Sequence, residues 1–161
     1  MKFRVLLITA LAAIAASGCG QKASSASAAA TSPAGPREVE ITAGDTMKYS
    51  INSIEAKPGE EIKVILTNMG SQPVEVMGHN WVLLKMGTDV AAFDAAALNS
   101  KETGYIPAAL KDEIIAHIDL LGPRKSGEVT FKAPDAPGDY PFLCTFPAHY
   151  QVGMRGFLTV K

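Results

Sequence analysis

The sequence predicts an all-β fold, a sandwich of short strands interrupted by one short helix. Three observations point there. From Arg37 onward apolar residues recur at every second position, the period of a strand with one buried face. Glycine and proline turn signals separate these runs at short intervals, as a sandwich requires. Only one stretch, rich in alanine, breaks the pattern.

The elements follow in chain order. Met47, Tyr49 and Ile51 alternate with Lys48, Ser50 and Asn52, which predicts a half-buried strand. After a turn at Pro58-Gly59, Ile62, Val64 and Leu66 alternate with Lys63 and Thr67 as a second strand, which ends before Gly70-Ser71. Residues 89–98 supply the helix: alanine dominates, and Asp89 has a side chain able to accept a hydrogen bond from the first-turn N–H groups. Gly122-Pro123 turns the chain into a strand in which Val129 and Phe131 alternate with Glu128, Thr130 and Lys132. Pro137-Gly138 marks the next turn, and Phe157 to Val160 form the last strand.

Composition narrows the function classes. The 161 residues carry 15 basic and 16 acidic side chains, a net charge of -1. Such a balance argues against a nucleic-acid binder that neutralises phosphates and against a polybasic membrane-surface protein. The two cysteines, Cys19 and Cys144, stand too far apart to be the disulfide framework of a small secreted domain, so each needs its own explanation.

Cys19 closes a targeting signal spanning residues 1–19. Lys2 and Arg4 form a positive start, and Val5 to Ala16 is an apolar run too short to span a bilayer, which takes roughly 20 residues. Ala16-Ser17-Gly18-Cys19 resembles the bacterial lipobox, in which the cysteine is acylated and becomes the new N-terminus. An exported, periplasm-facing, lipid-anchored protein is expected, and Gly20 after the cysteine favours the outer membrane. Residues 20–36 hold no aromatic or large aliphatic side chain and read as a flexible linker, with a reach of roughly 20 to 25 Å as a random coil. Cleavage removes Lys2 and Arg4 and takes the net charge from -1 to -3. The folded domain is residues 37–161.

The chemistry gathers near the C-terminus. Cys144, His149 and Met154 lie on one loop between two predicted strands, and His79 supplies a second imidazole upstream. Two histidines, one cysteine and one methionine match a trigonal site with a weak axial thioether, which suits an ion alternating between Cu(I) and Cu(II). Thiolate favours the reduced ion, imidazole accommodates the oxidised one, and a compromise set in advance needs little rearrangement. Taken singly, a buried cysteine is a small hydrophobe and a methionine near a strand is packing. It is their joint occurrence, in a chain with three histidines, that singles them out. The third, His117, has no sulfur beside it and reads as a surface or structural residue.

Val76-Met-Gly-His-Asn-Trp-Val-Leu-Leu84 and Cys144-Thr-Phe-Pro-Ala-His149, with Tyr105-Ile-Pro and Ile114 to Gly122, resemble the azurins, blue-copper electron carriers of the Greek-key cupredoxin fold. The resemblance implies His79, Cys144 and His149 as equatorial ligands, Met154 as axial ligand and the Gly78 carbonyl as a distant second axial contact. It also implies that Asn80 ties the two ligand segments together and that Trp81 is a buried core indole. Four departures stand out: the N-terminal disulfide usual in azurins is missing, Ala148 replaces the usual glycine, and Asn68 stands where many azurins have a titrating histidine. The loop spacing is C-x4-H-x4-M rather than C-x4-H-x3-M, more like plastocyanin.

The leading expectation is therefore a tethered one-electron carrier, not an enzyme. It would meet donor and acceptor proteins through an apolar patch of Met77, Phe146, Pro147 and Ala148 around His149. Copper delivery or storage is the alternative, though the chain has no open Met/His-rich tail. A cysteine nucleophile with His149 as base ranks last, since it leaves Met154 unexplained.

Overall fold

Strict alternation is clearest in β3 (Glu61–Asn68), where Ile62, Val64, Leu66 and Asn68 turn inward and the residues between them face out or lie half-buried. The computed structural model describes residues 35–161, so the signal (1–19), Cys19 and most of the linker (20–36) lie outside the described residues. Around β3 lie β1 (Arg37–Ala43), β2 (Ser53–Ala56), β4 (His79–Leu84), β5 (Ile114–Leu121), β6 (Ser126–Lys132), β7 (Gly138–Leu143) and β8 (Arg155–Val160). They form two sheets, in the orders β1-β3-β6 and β2-β8-β7-β4-β5. β1 runs parallel to β3 and β2 parallel to β8, while the other pairs are antiparallel. This is the all-β sandwich the pattern predicts.

Between the sheets the inward residues make one core. Trp81 is fully buried, its ring 5.5 Å from that of Phe142 and 6.0 Å from that of Phe131. Such spacing is within the range at which aromatic pairs add to the burial of their area.

The expected helix is α2 (Val90–Ala97), once a shorter turn, α1 (Val74–Met77), is counted first. Asp89 caps α2 by accepting from the Ala92 N–H at 3.0 Å, and Phe93 and Ala97 are buried. Phe93 packs with Val82, Leu84 and Leu143, on the side of β4 opposite to Trp81 and Leu83. All six residues of β4 are buried as a result, which explains why no polar alternation marks this strand in the sequence.

Two expectations need correction. The segment from Met47 to Ile51 is not a strand. The Met47 N–H closes a turn on the Gly44 carbonyl at 2.9 Å and Met47 has φ 54°, because the chain must cross here from one sheet to the other. Tyr49 is buried for a different reason, its hydroxyl donating to the Asn80 carbonyl at 2.6 Å. The single inserted helix is likewise joined by α1 and by 3-10 turns at Lys101–Thr103 and Ala108–Glu113. Neither α1 nor these turns buries a residue, so none leaves an apolar period to read.

Candidate metal centre

Strand pairing brings the chemical residues to one end of the five-stranded sheet. His79 opens β4, and Cys144 directly follows β7. Because Val82 pairs with Leu143 in antiparallel register, the end of β7 meets the start of β4. Leu143 also pairs with Arg155, and the Cys144 N–H donates to the Met154 carbonyl at 3.1 Å. Cys144 and Met154 are thus opposite one another at the mouth of the β7–β8 hairpin, the position from which side chains share a face. The length of the loop between them does not alter that pairing, and the Met154 side chain is fully buried.

His149 is set by the loop's own hydrogen bonds. Its N–H donates to the Phe146 carbonyl at 3.1 Å, and its carbonyl accepts from the Met154 N–H at 2.9 Å. Further bonds from Val152 to Ala148 and from Gly153 to Tyr150 close the turn. Gly153 has φ 93°, a conformation glycine adopts at little cost. Ala148 has φ 70°, which costs an L-residue about 1–2 kcal/mol, so the methyl next to His149 is held against its preference.

One donor atom from each of His79, Cys144 and His149 lies within 4.8 Å of the others. The Cys144 sulfur is 3.4 Å from Nδ1 of His149, and the two imidazole rings are 4.9 Å apart between centroids. All three residues are at most 1% exposed. Asn80 joins the two segments: its side-chain oxygen accepts from the Thr145 N–H at 2.8 Å and its amide donates to Thr145 Oγ1 at 2.7 Å.

The electrostatics suit a thiophilic cation. Burial pushes the Cys144 thiol up to about 12, although backbone N–H groups of Asn80 and Phe146 favour the thiolate. A nucleophilic cysteine calls for the opposite shift. Burial also lowers His149 to about 4, with the charge of His79 adding to the effect, and lowers His79 below its ordinary value. Both imidazoles are thereby kept neutral, the form that binds metal. Both ring nitrogens of His79 are buried without a hydrogen bond of good geometry; a bound cation would satisfy one of them, and the Gly44 backbone faces the ring to take the other. The donor set fits copper: two imidazoles, one thiol and a buried thioether on the adjoining strand end.

The other residues named from the sequence fall as follows. His117 is exposed on β5, 3.4 Å from the Asp119 carboxylate and outside the cluster. Asn68 is buried at the end of β3, donating to the Leu121 carbonyl at 3.0 Å and accepting from the Gly70 N–H at 2.8 Å. Gly78 is buried between the end of α1 and His79. A side chain there would meet the Val74 carbonyl at 2.7 Å, which is a packing reason for glycine. The apolar frame differs from expectation: Phe146 is only 6% exposed and stacks beneath the surface against His149. Met77 and Pro147 are half-buried and Ala148 is exposed, while Val76, next to Met77 in the chain, is 57% exposed. Sequence reading missed the buried Asp94 and its link to Gln151, since neither forms a motif.

Comparison with known proteins agrees with this chemistry. The family described as copper binding proteins, plastocyanin/azurin family, matches residues 37–161. Auracyanin-B of Chloroflexus aurantiacus is 36% identical over 124 residues, which cover 76% of this chain and 51% of that protein, so the match spans about half of its length. Azurin of Pseudomonas denitrificans is 36% identical over 132 residues, covering 76% of this chain and 97% of that protein. Among solved structures, dithionite-reduced auracyanin of the photosynthetic bacterium Roseiflexus castenholzii has a TM-score of 0.69 and 39% identity, covering 79% of this chain and 99% of that one.

Proposed function

This chain belongs to the plastocyanin/azurin family of copper-binding proteins, and on that premise we propose that it is a one-electron carrier. Its copper would be held by His79, Cys144 and His149, with Met154 as a weak axial ligand and the Gly78 carbonyl as a distant second axial contact. The observation that carries this reading is the buried cluster, whose donors already lie within 4.8 Å of one another. Bound there, copper supplies one-electron chemistry between Cu(I) and Cu(II). The chain supplies rigidity: the Cys144–Met154 pairing, the Asn80 bridge and the closed loop around His149 leave the donors little room to rearrange, which favours fast transfer. The same enclosure speaks against delivery or storage, where ligands must open to release the ion.

Adding Cu(II) to the purified chain tests the reading. An intense blue thiolate absorption is expected; a colourless protein overturns it. The axial role has its own test in Met154→Leu, which is expected to bind copper, stay coloured and show a higher reduction potential in voltammetry. Losing a donor weakens the oxidised ion more than the reduced one. An unchanged potential would remove Met154 from the ligand set.

Partners are donor and acceptor redox proteins, and we place their docking on the apolar surface of Val76, Met77, Pro147 and Ala148 over His149. With a mature net charge of only -3, desolvation rather than charge steering dominates the encounter. Met77→Asp should slow electron self-exchange at low and high salt alike; an effect that vanishes in high salt would assign the encounter to charge.

The carrier is also proposed to be exported and anchored through an acylated Cys19, facing the periplasm, with the outer membrane favoured. The lipobox-like signal and the linker behind it support this. Among the described residues no helix is long and apolar enough to cross a membrane. Cys19→Ser is expected to move the protein from the membrane to the soluble fraction on cell fractionation. Wild-type protein found soluble, with an unmodified N-terminus beyond residue 19, would overturn the anchor.

A further inference from the structure

Asp94 is a buried carboxylate that neither the core nor the ligand set explains. It lies on α2 at 2% exposure, and its Oδ1 is buried without any hydrogen-bond partner. Its Oδ2 accepts from the side-chain amide of Gln151. Burying a carboxylate with one oxygen unsatisfied is costly, and an apolar residue would serve packing better at this position. Burial accordingly raises its carboxyl above the ordinary range, while the Gln151 bond works the other way.

Gln151 is two residues past His149 in the loop that leads to Met154. Tyr150, between them, packs against the cluster of Phe93, Val82, Leu84 and Leu143 and carries the Arg155 guanidinium 4.9 Å over its ring. Two consecutive residues of the ligand loop are therefore tied to α2, one by packing on the Phe93 cluster and one by the bond to Asp94. Gln151 is an exposed residue whose side-chain amide reaches in to make this bond.

We propose that Asp94 is a positioning residue of the metal centre: through Gln151 it clasps the ligand loop to α2 and thereby holds the ring of His149 in place. The helix is then part of the site's support and not only a cover for β4. This inference rests on the copper-carrier reading only for the second of its two readouts.

The first readout is amide hydrogen exchange in the metal-free chain. Val152, Gly153 and Met154 donate within the loop and are protected as long as the turn stays closed. Gln151→Ala, a change at an exposed residue that leaves the core intact, is expected to speed their exchange about tenfold or more. Asp94→Ala should do the same, the double variant should go no further than either single one, and strand amides should keep their wild-type rates. Asp94→Asn retains an oxygen aimed at Gln151 and should stay near wild type. Unchanged exchange in both alanine variants would overturn the clasp, as would two effects that simply add.

The second readout uses the copper-loaded protein. Both alanine variants should bind copper yet change the relative intensity of the thiolate absorption bands and the reduction potential, with Asp94→Asn restoring them. Spectra and potentials identical to wild type would overturn the positioning role. If the wild-type chain itself takes no colour, it is the copper-carrier reading that fails, and the exchange measurement still decides the clasp.

Discussion

Cys144→Ser is expected to abolish the intense blue colour of the copper-loaded protein while the sandwich stays folded. Cys144 is the one cysteine among the described residues, so it is the source of any thiolate charge transfer there. A hydroxyl holds its proton far more tightly and is a harder donor, which removes both the band and most of the preference for Cu(I). The fold should survive because the substitution is close in volume, and the N–H groups of Asn80 and Phe146 already face the position and can bond the new oxygen. Absorption after copper addition, set beside far-UV circular dichroism, checks both halves. A variant that remained intensely blue would remove Cys144 from the site.

Asn80→Ala carries the largest expected loss of stability, about 3 kcal/mol. The Asn80 side chain makes three bonds across elements distant in sequence: to Thr145 N–H at 2.8 Å, to Thr145 Oγ1 at 2.7 Å and to the Gly104 carbonyl at 3.2 Å. Thr145 is fully buried, so its N–H would be left without a partner and without water, a penalty of roughly 1–3 kcal/mol by itself. Thr145 Oγ1 would also lose a donor, though its own bond to the Tyr105 carbonyl at 2.7 Å would remain. Against a typical domain stability of roughly 5–15 kcal/mol, such a loss shows plainly as a lower urea midpoint in the metal-free protein. An unchanged midpoint would mean that the two ligand segments are held by the strand pairing of β4 and β7 alone.

How much of this was legible in the sequence depends on the kind of information each residue carries. His79, Cys144, His149 and Met154 could be singled out because their side chains are scarce and chemically distinctive, and the structure brings the first three donors within 4.8 Å while pairing Met154 opposite Cys144. The alternation within β3 and β6 and the cap of α2 at Asp89 could be read because they depend on neighbours a few residues away. Tertiary structure alone decided the rest. Alternation at Met47, Tyr49 and Ile51 records that Tyr49 is buried, but not that its hydroxyl is held by Asn80 in a crossing between sheets. The unbroken apolar run of β4 does not reveal that α2 covers its outer face, and nothing near Asp94 in the chain points to Gln151, 57 residues later. Ala148 at φ 70° is equally silent, since alanine normally avoids that conformation. Period and residue type report a local preference, whereas register, coverage and buried polar pairing are settled by contacts between distant segments, whose combined energy overrides each local choice.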